Sequence, residues 1–265
     1  MNTPLALEFE GVELSFAGVK ALKGIDLKVR EGSVHAIIGP NGAGKTSMFN
    51  CVSGTYQPQR GQIRFRGHEI TRGEPDRIAR LGISRMFQNL LLFEHMTVLD
   101  NLLLGRHHLY KLGVLHDVFR TPKMRRVEVE HRRAVEEIIE FLALEAYRMY
   151  PISVLPYGIL KRVELGRALA MKPQLLLLDE PAAGLNQEET EDMARFILDI
   201  KEVLGVTQVL IEHDLRFIFD LADQVTVLDF GQKIAEGLPE AVQRNAAVAA
   251  AYMGKALAGS EVDDV

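Results

Sequence analysis

Gly39-Pro40-Asn41-Gly42-Ala43-Gly44-Lys45-Thr46 matches in full the phosphate-binding pattern G-x-x-x-x-G-K-[ST]. Glycines let the backbone fold so that successive N–H groups point inward, making an anion-binding concavity that side chains would otherwise block. Lys45 adds a full positive charge. The context suits the pattern: Val34-His35-Ala36-Ile37-Ile38 reads as a buried strand, and Thr46 to Val52 as a helix whose positive end faces the phosphates, stopped by Gly54. A nucleotide site on an α/β core is the expectation.

Working outward, 265 residues suffice for one large domain with an insertion, and 47% hydrophobic with 25% charged residues is the balance of a globular chain. The single cysteine, Cys51, excludes an internal disulfide and reads as a small core residue in the helix after the loop. The start, Met1-Asn2-Thr3-Pro4, lacks the pattern of a signal peptide. No apolar run approaches the roughly 20 residues needed to cross a bilayer, so any membrane role is expected to be peripheral. A net charge of −5 argues against nucleic acid as a partner.

Ahead of the loop, Val12 to Phe16 and Ile25 to Val29 alternate apolar and polar residues, the mark of half-buried strands. Phe16 precedes the turn Ala17-Gly18, where a ring could stack on a purine or simply fill core. After the first helix come a turn at Gln59-Arg60-Gly61, a strand Ile63 to Arg66, a short helix opened by Pro75, and a strand Ile83 to Phe87 that exits at Gln88. From Thr97 the period is helical, with Thr97 and Asp100 placed like a capping box. Between Arg106 and Arg133 eight basic residues (Arg106, Lys111, Arg120, Lys123, Arg125, Arg126, Arg132, Arg133) face three acids, which reads as a solvated helical face or as a patch for anionic headgroups or a partner. His107, His108 and His116 have no companion ligands for a metal. Thr121-Pro122 opens a helix with Val135, Ile138, Ile139 and Leu142 at core spacing, and another helix is expected from Ile159 to Met171.

Leu175-Leu176-Leu177-Leu178 runs into Asp179-Glu180, a buried strand delivering two carboxylates to its carboxyl edge, where open α/β sheets place ligands. Gln208 to Ile211 similarly exits into Glu212-His213-Asp214. Strands at Gln224 to Asp229 and Lys233 to Ala235 precede a helical, alanine-rich tail from Glu240 to Ala258 and a frayed end, Glu261 to Val265.

In this order the motifs resemble the ATP-binding subunits of ABC transporters, over roughly Leu5 to Gly254. The resemblance implies an α/β P-loop NTPase (RecA-like) core with an N-terminal antiparallel β-subdomain and an inserted α-helical subdomain. The division implied is residues 1–89 and 157–240 for the core and β-subdomain, 90–156 for the insertion, and 241–265 for a C-terminal helix and tail. It further implies that Phe16 stacks on adenine and that Gly39, Pro40, Asn41, Gly42, Ala43, Gly44, Lys45, Thr46 and Ser47 hold the phosphates of ATP. Thr46 and Gln88 would ligate Mg²⁺, with Asp179 acting through its water shell. Glu180 would be the general base and His213 the switch histidine on the γ-phosphate, with Lys45 completing the catalytic set.

The family signature, normally Leu-Ser-Gly-Gly-Gln, reads Leu155-Pro156-Tyr157-Gly158-Ile159 here. Pro156 removes a hydroxyl and an N–H, while Tyr157 and Gly158 remain to cap the nucleotide of a second subunit. Loss of one preorganised donor costs on the order of a hundredfold in rate, so a weaker composite site is expected. In the crossing loop Ala183-Gly184-Leu185-Asn186, Asn186 stands where the family usually has aspartate. The phrases Asp179 to Asn186 and Ile211 to Leu215 are similar to the longer ATPase of branched-chain or hydrophobic amino-acid importers.

That resemblance implies a second ABC ATPase as partner (or a homodimer in isolation), membrane permease subunits, an indirect substrate-binding protein, and a place at the cytoplasmic face of the inner membrane. Uptake of aromatic acids or urea, lipopolysaccharide export, a soluble cassette in translation or repair, and a weakly hydrolysing regulatory module are the alternatives.

Overall fold

The computed structural model describes residues 4–88, 90–109 and 122–259, without the side chains of 122–125 and 253–259. The expectations for Lys111, His116, Asp117, Arg120, Thr121 and the end Glu261 to Val265 lie outside the described residues, as do the side chains of Lys123 and Arg125.

Two sheets carry the chain. Strands β1 (Leu5–Phe16), β2 (Val19–Arg30), β4 (Arg60–Phe65) and β5 (His68–Glu69) form an antiparallel sheet in the order β2-β1-β4-β5. Strands β3 (Val34–Ile38), β6 (Ile83–Met86), β7 (Leu175–Asp179), β8 (Thr207–Ile211), β9 (Gln224–Asp229) and β10 (Gln232–Gly237) form the second, in the order β10-β9-β3-β8-β7-β6. All its pairings are parallel except β10 on β9. Every residue of β3, β7 and β8 is buried, as expected of parallel strands covered on both faces. Each of the leucines Leu175 to Leu178 contributes roughly 2 kcal/mol by leaving water.

Helix α1 (Lys45–Val52) and the antiparallel sheet cover one face, where Phe9, Phe49, Phe65, Leu177 and Val209 share a core. Cys51 lies in it, its thiol pushed up to about 12 by burial. After the short α2 (Pro75–Arg80), the other face receives α3 (Val98–Gly105), α4 (Pro122–Phe141), α5 (Tyr157–Ala170) and α6 (Gln187–Glu202). Val135, Ile139 and Leu142 are buried there as spaced, with Ile138 half-buried. Helices α7 (Leu215–Leu221), α8 (Pro239–Gln243) and α9 (Ala246–Gly259) pack on the end of the sheet formed by β3, β9 and β10. Among the described residues no helix is long and apolar enough to cross a membrane.

Several local expectations change. The first two strands each reach 12 residues, because they pair with each other antiparallel along their whole length, from Leu5 opposite Arg30 to Phe16 opposite Val19. Arg60 and Gly61 belong to β4 rather than to a turn, Arg60 pairing with Glu13. The alanine-rich tail is two helices, parted at Arg244 and Asn245. The Asn245 side chain accepts the Ala247 N–H at 2.9 Å and so starts a new helix. Arg106 is no part of a solvated basic face: it is buried, its Nε donating to His131 Nδ1 at 2.9 Å and its Nη1 to the Ala170 carbonyl at 3.2 Å. Thr97 and Asp100 do form the capping box.

Candidate functional site

Strand order does the gathering. Along β3-β8-β7-β6, the carboxyl ends present in turn the glycine loop, Glu212-His213, Asp179-Glu180 and Gln88. Parallel neighbours lie about 4.8 Å apart, so four loops distant in sequence converge on one edge. They line a cavity of about 620 Å³ bounded by Ala21, Asn41 to Ser47, Gln88, Glu180 and His213.

The loop leads into α1 through Gly44, whose φ of 107° is left-handed and whose Cβ would stand 2.7 Å from the Ala21 carbonyl oxygen, so only glycine fits. No side chain caps α1 and no acid occupies its first turn, which leaves its positive end open to an anion. Lys45 Nζ folds onto its own loop, donating to the carbonyls of Gly39 at 2.6 Å and Pro40 at 3.2 Å. Gly39 and Pro40 themselves are buried at the strand end, behind the cavity lining.

Opposite the loop, the Glu180 carboxylate is held on both oxygens. His213 Nε2 stands 2.8 Å from Oε1, and Gln88 Nε2 donates to Oε2 at 2.9 Å. Glu180 has φ +52°, an unfavourable conformation for a side-chain-bearing residue that its surroundings must enforce. Its N–H donates to the Ile211 carbonyl, and its own carbonyl accepts from Lys161 Nζ at 3.4 Å. Glu212, beside His213, accepts two backbone N–H groups, Ala182 at 2.8 Å and His213 at 3.0 Å. Burial raises its carboxyl, opposed by those bonds and reinforced by the charge of Glu180.

Asp179 lies one layer deeper. Oδ2 pairs with Arg85 Nη2 at 2.6 Å, and Arg85 Nη1 donates to Asn50 Oδ1 at 2.6 Å. The guanidinium stacks between the rings of Phe49 and Phe87, so it ties helix α1, strand β7 and the residue before Gln88 together. Asp179 Oδ1 is buried with no hydrogen-bond partner.

Phe16 does not fill core and does not line the cavity. It is 43% exposed, edge-on to Tyr56 with ring centroids 4.9 Å apart. The signature segment is also elsewhere. Pro156 is the N-cap of α5, without a side-chain capping bond, and the helix begins at Tyr157, two residues before the expected Ile159. Tyr157 Oη donates to the Ala183 carbonyl at 3.3 Å. Gly158 is buried against the Glu189 carboxylate, where a Cβ would come within 2.1 Å of Oε1. Glu189 is positioned by a capping box in which Asn186 Oδ1 accepts the Glu189 N–H and Glu189 accepts the Asn186 N–H. Inside α5, Glu164 is buried and its carboxyl is pushed up to about 7 by desolvation, against the pull of Lys161 and Arg167. Neither of its oxygens makes a well-formed hydrogen bond, although the N–H groups of Phe87 and Leu91 lie close.

Sequence reading misses Arg85, Asn50 and Lys161, and the role of Glu212, because their partners are mostly far away in the chain. Asn186 is the exception, since Asn-x-x-Glu is a visible capping pattern.

A glycine loop at a helix start, facing two strand-end carboxylates and a histidine, defines a phosphate-loop nucleotide-binding domain. The sequence pattern of the ABC transporter family matches residues 22–183, and that of the branched-chain amino acid ATP-binding cassette transporters matches residues 232–258. The chain is 40% identical over 256 residues to the high-affinity branched-chain amino acid transport ATP-binding protein BraF of Pseudomonas aeruginosa, covering 97% of this chain and 100% of that one. It is 36% identical over the same length and coverage to LivG of Escherichia coli, a protein of the same description. A crystal structure of an ABC transporter's ATP-binding cassette in its ADP conformation superposes with a TM-score of 0.83 at 33% identity, covering 95% of this chain and all of that one. The chain belongs to the ABC transporter family and is one of its ATP-binding cassettes.

Proposed function

We propose that the chain is the ATP-hydrolysing subunit of an importer for branched-chain or other hydrophobic amino acids, working peripherally at the cytoplasmic face of the inner membrane. The substrate class is supported by the descriptions of BraF and LivG and by the matching carboxyl-terminal pattern. The observation that carries the chemistry is the Glu180 carboxylate, strained and held between Gln88 and His213 across the cavity from Lys45.

In this reading Phe16 offers an exposed ring to adenine. The N–H groups of the Gly39 to Ser47 loop and the Lys45 ammonium bind the phosphates, with Lys45 leaving its two loop carbonyls to do so. Glu180 takes the proton of the attacking water as its oxygen bonds to the γ-phosphorus and the bond to the bridging oxygen of ADP breaks, and His213 donates to the departing phosphate. Both must first release the contact they make with each other.

The donor set fits Mg²⁺. Asp179 Oδ1 is a buried acceptor without a hydrogen-bond partner, and Thr46 and Gln88, which line the cavity, would supply further oxygen ligands. When bound, the ion would neutralise phosphate charge. Arg85 holds the other oxygen, Oδ2, at 2.6 Å and so leaves Oδ1 for that position.

One chain supplies one half of a closed site. Tyr157 and Gly158 would cap ATP held by a second ABC ATPase, a homologous subunit in the cell or a second copy in isolation. Residues 90–156 would form an arm that follows the Gln88 loop and receives the permease, alongside a core of 1–89 and 157–240 and an end at 241–265. Glu180→Gln is expected to lower steady-state ATP hydrolysis by about 10²- to 10⁴-fold while leaving nucleotide binding intact. Turnover at the wild-type rate would overturn the assignment.

A further inference from the structure

Glu212 is 4% exposed and sits where two loops meet. Its Oε1 accepts the N–H of Ala182, two residues beyond Glu180 and at the head of the segment Ala183 to Asn186. Its Oε2 accepts the N–H of His213, whose ring reaches Glu180 Oε1. Glu180 is therefore bracketed: its backbone continues into a peptide held by one Glu212 oxygen, and its carboxylate meets a ring whose backbone is held by the other. The Glu180 N–H, bonded to the Ile211 carbonyl, completes the bracket at the neighbouring strand.

The residue type follows from the partners. Both are donors, so the group between them has to accept on two atoms and donate on neither, which only an ionised carboxylate does. An amide there would turn its NH₂ toward one of the two N–H groups and satisfy one loop at most. A buried carboxylate near Glu180 also carries an electrostatic cost that a purely space-filling residue would avoid. A φ of +52° at Glu180 needs surroundings that enforce it, and the Ala182 bond fixes the Pro181–Ala182 peptide one residue further on.

We propose that Glu212 is a positioning residue for hydrolysis: its carboxylate staples the crossing loop at Ala182 to the His213 loop, holding Glu180 and the His213 ring in register. Any displacement of the segment Ala183 to Asn186 is thereby delivered to His213. The inference rests on the proposed catalytic reading of Glu180 and His213, and its test separates the two.

The full-length chain carrying Glu212→Gln or Glu212→Ala is compared with the wild type by steady-state ATPase kinetics, binding of a fluorescent ATP analogue, and amide hydrogen exchange over residues 180–186 and 211–215. The expected result is kcat down about tenfold for Gln and about a hundredfold for Ala, with KM and nucleotide affinity within threefold. Exchange should accelerate at both segments together, by about tenfold or more in the Ala variant. Unchanged kcat, acceleration confined to one segment, or a loss expressed in KM alone would overturn the proposal. The near-isosteric Gln variant keeps the test open should Ala fail to fold. Glu180→Gln run alongside separates the failures. If that variant still turns over, the catalytic reading falls. If it is inactive while both Glu212 variants keep wild-type kcat and exchange, only the staple falls.

Discussion

Two helix starts in this chain carry the segments proposed to meet the phosphates of ATP, and they are built differently. At α1 the N-cap is a left-handed glycine, no acid lies in the first turn, and the helix itself begins with the cation Lys45. At α5 the N-cap is Pro156, Tyr157 is tied to the Ala183 carbonyl, and the Glu189 carboxylate lies against Gly158. The first is an open anion site. The second is faced by an acid of its own chain, which opposes the approach of a phosphate to a helix N-terminus. On the proposed reading the grip on nucleotide lies within the chain, and the weaker face is the one offered to a partner.

The largest effect expected from altering this comparison comes from Pro156→Ser. It returns a hydroxyl and an N–H to the α5 start, and is expected to raise the steady-state ATPase rate of the assembled pair about tenfold or more while nucleotide affinity of the isolated chain stays constant. An unchanged rate would show that the proline is not what weakens the signature face.

A smaller effect concerns the interior of α5, which carries a buried carboxyl where α1 carries none. Glu164 is pushed up to about 7. The folded chain then holds this proton more tightly than the unfolded chain, so the group's contribution to stability is lost as pH rises from about 4.5 through about 7. Glu164→Gln removes the dependence. Relative to wild type, the variant should gain on the order of 2 kcal/mol between pH 5 and pH 8, read from urea unfolding at both. An equal difference at both pH values would contradict the assignment.

The same contrast explains what the sequence made legible. The glycine loop, the four-leucine strand into Asp179-Glu180, and Gln88 and His213 at strand exits are contiguous patterns, each carrying its own local physics. Strand order then places them together, and the order itself was implied only by family resemblance. Arg85 was invisible because its partners Asn50 and Asp179 lie 35 and 94 residues away and meet it only across the sheet. Glu212 was noticed as part of a polar strand exit, but its role depends on Ala182, 30 residues distant. Arg106 looked like one more surface charge because nothing near it in sequence announces His131 and the Ala170 carbonyl. The first two strands are longer than their alternating segments because their antiparallel pairing with each other, irregular at several bulges, sets their length.

The central claim is that the loop at Gly39 to Thr46 is half a site, completed by the α5 start of another subunit. It is tested most directly by the solution mass of the Glu180→Gln chain, which should bind ATP without consuming it. Sedimentation with saturating Mg²⁺ and ATP is expected to show a doubling of mass that is absent with ADP or without nucleotide. A single monomeric species under all three conditions would contradict it.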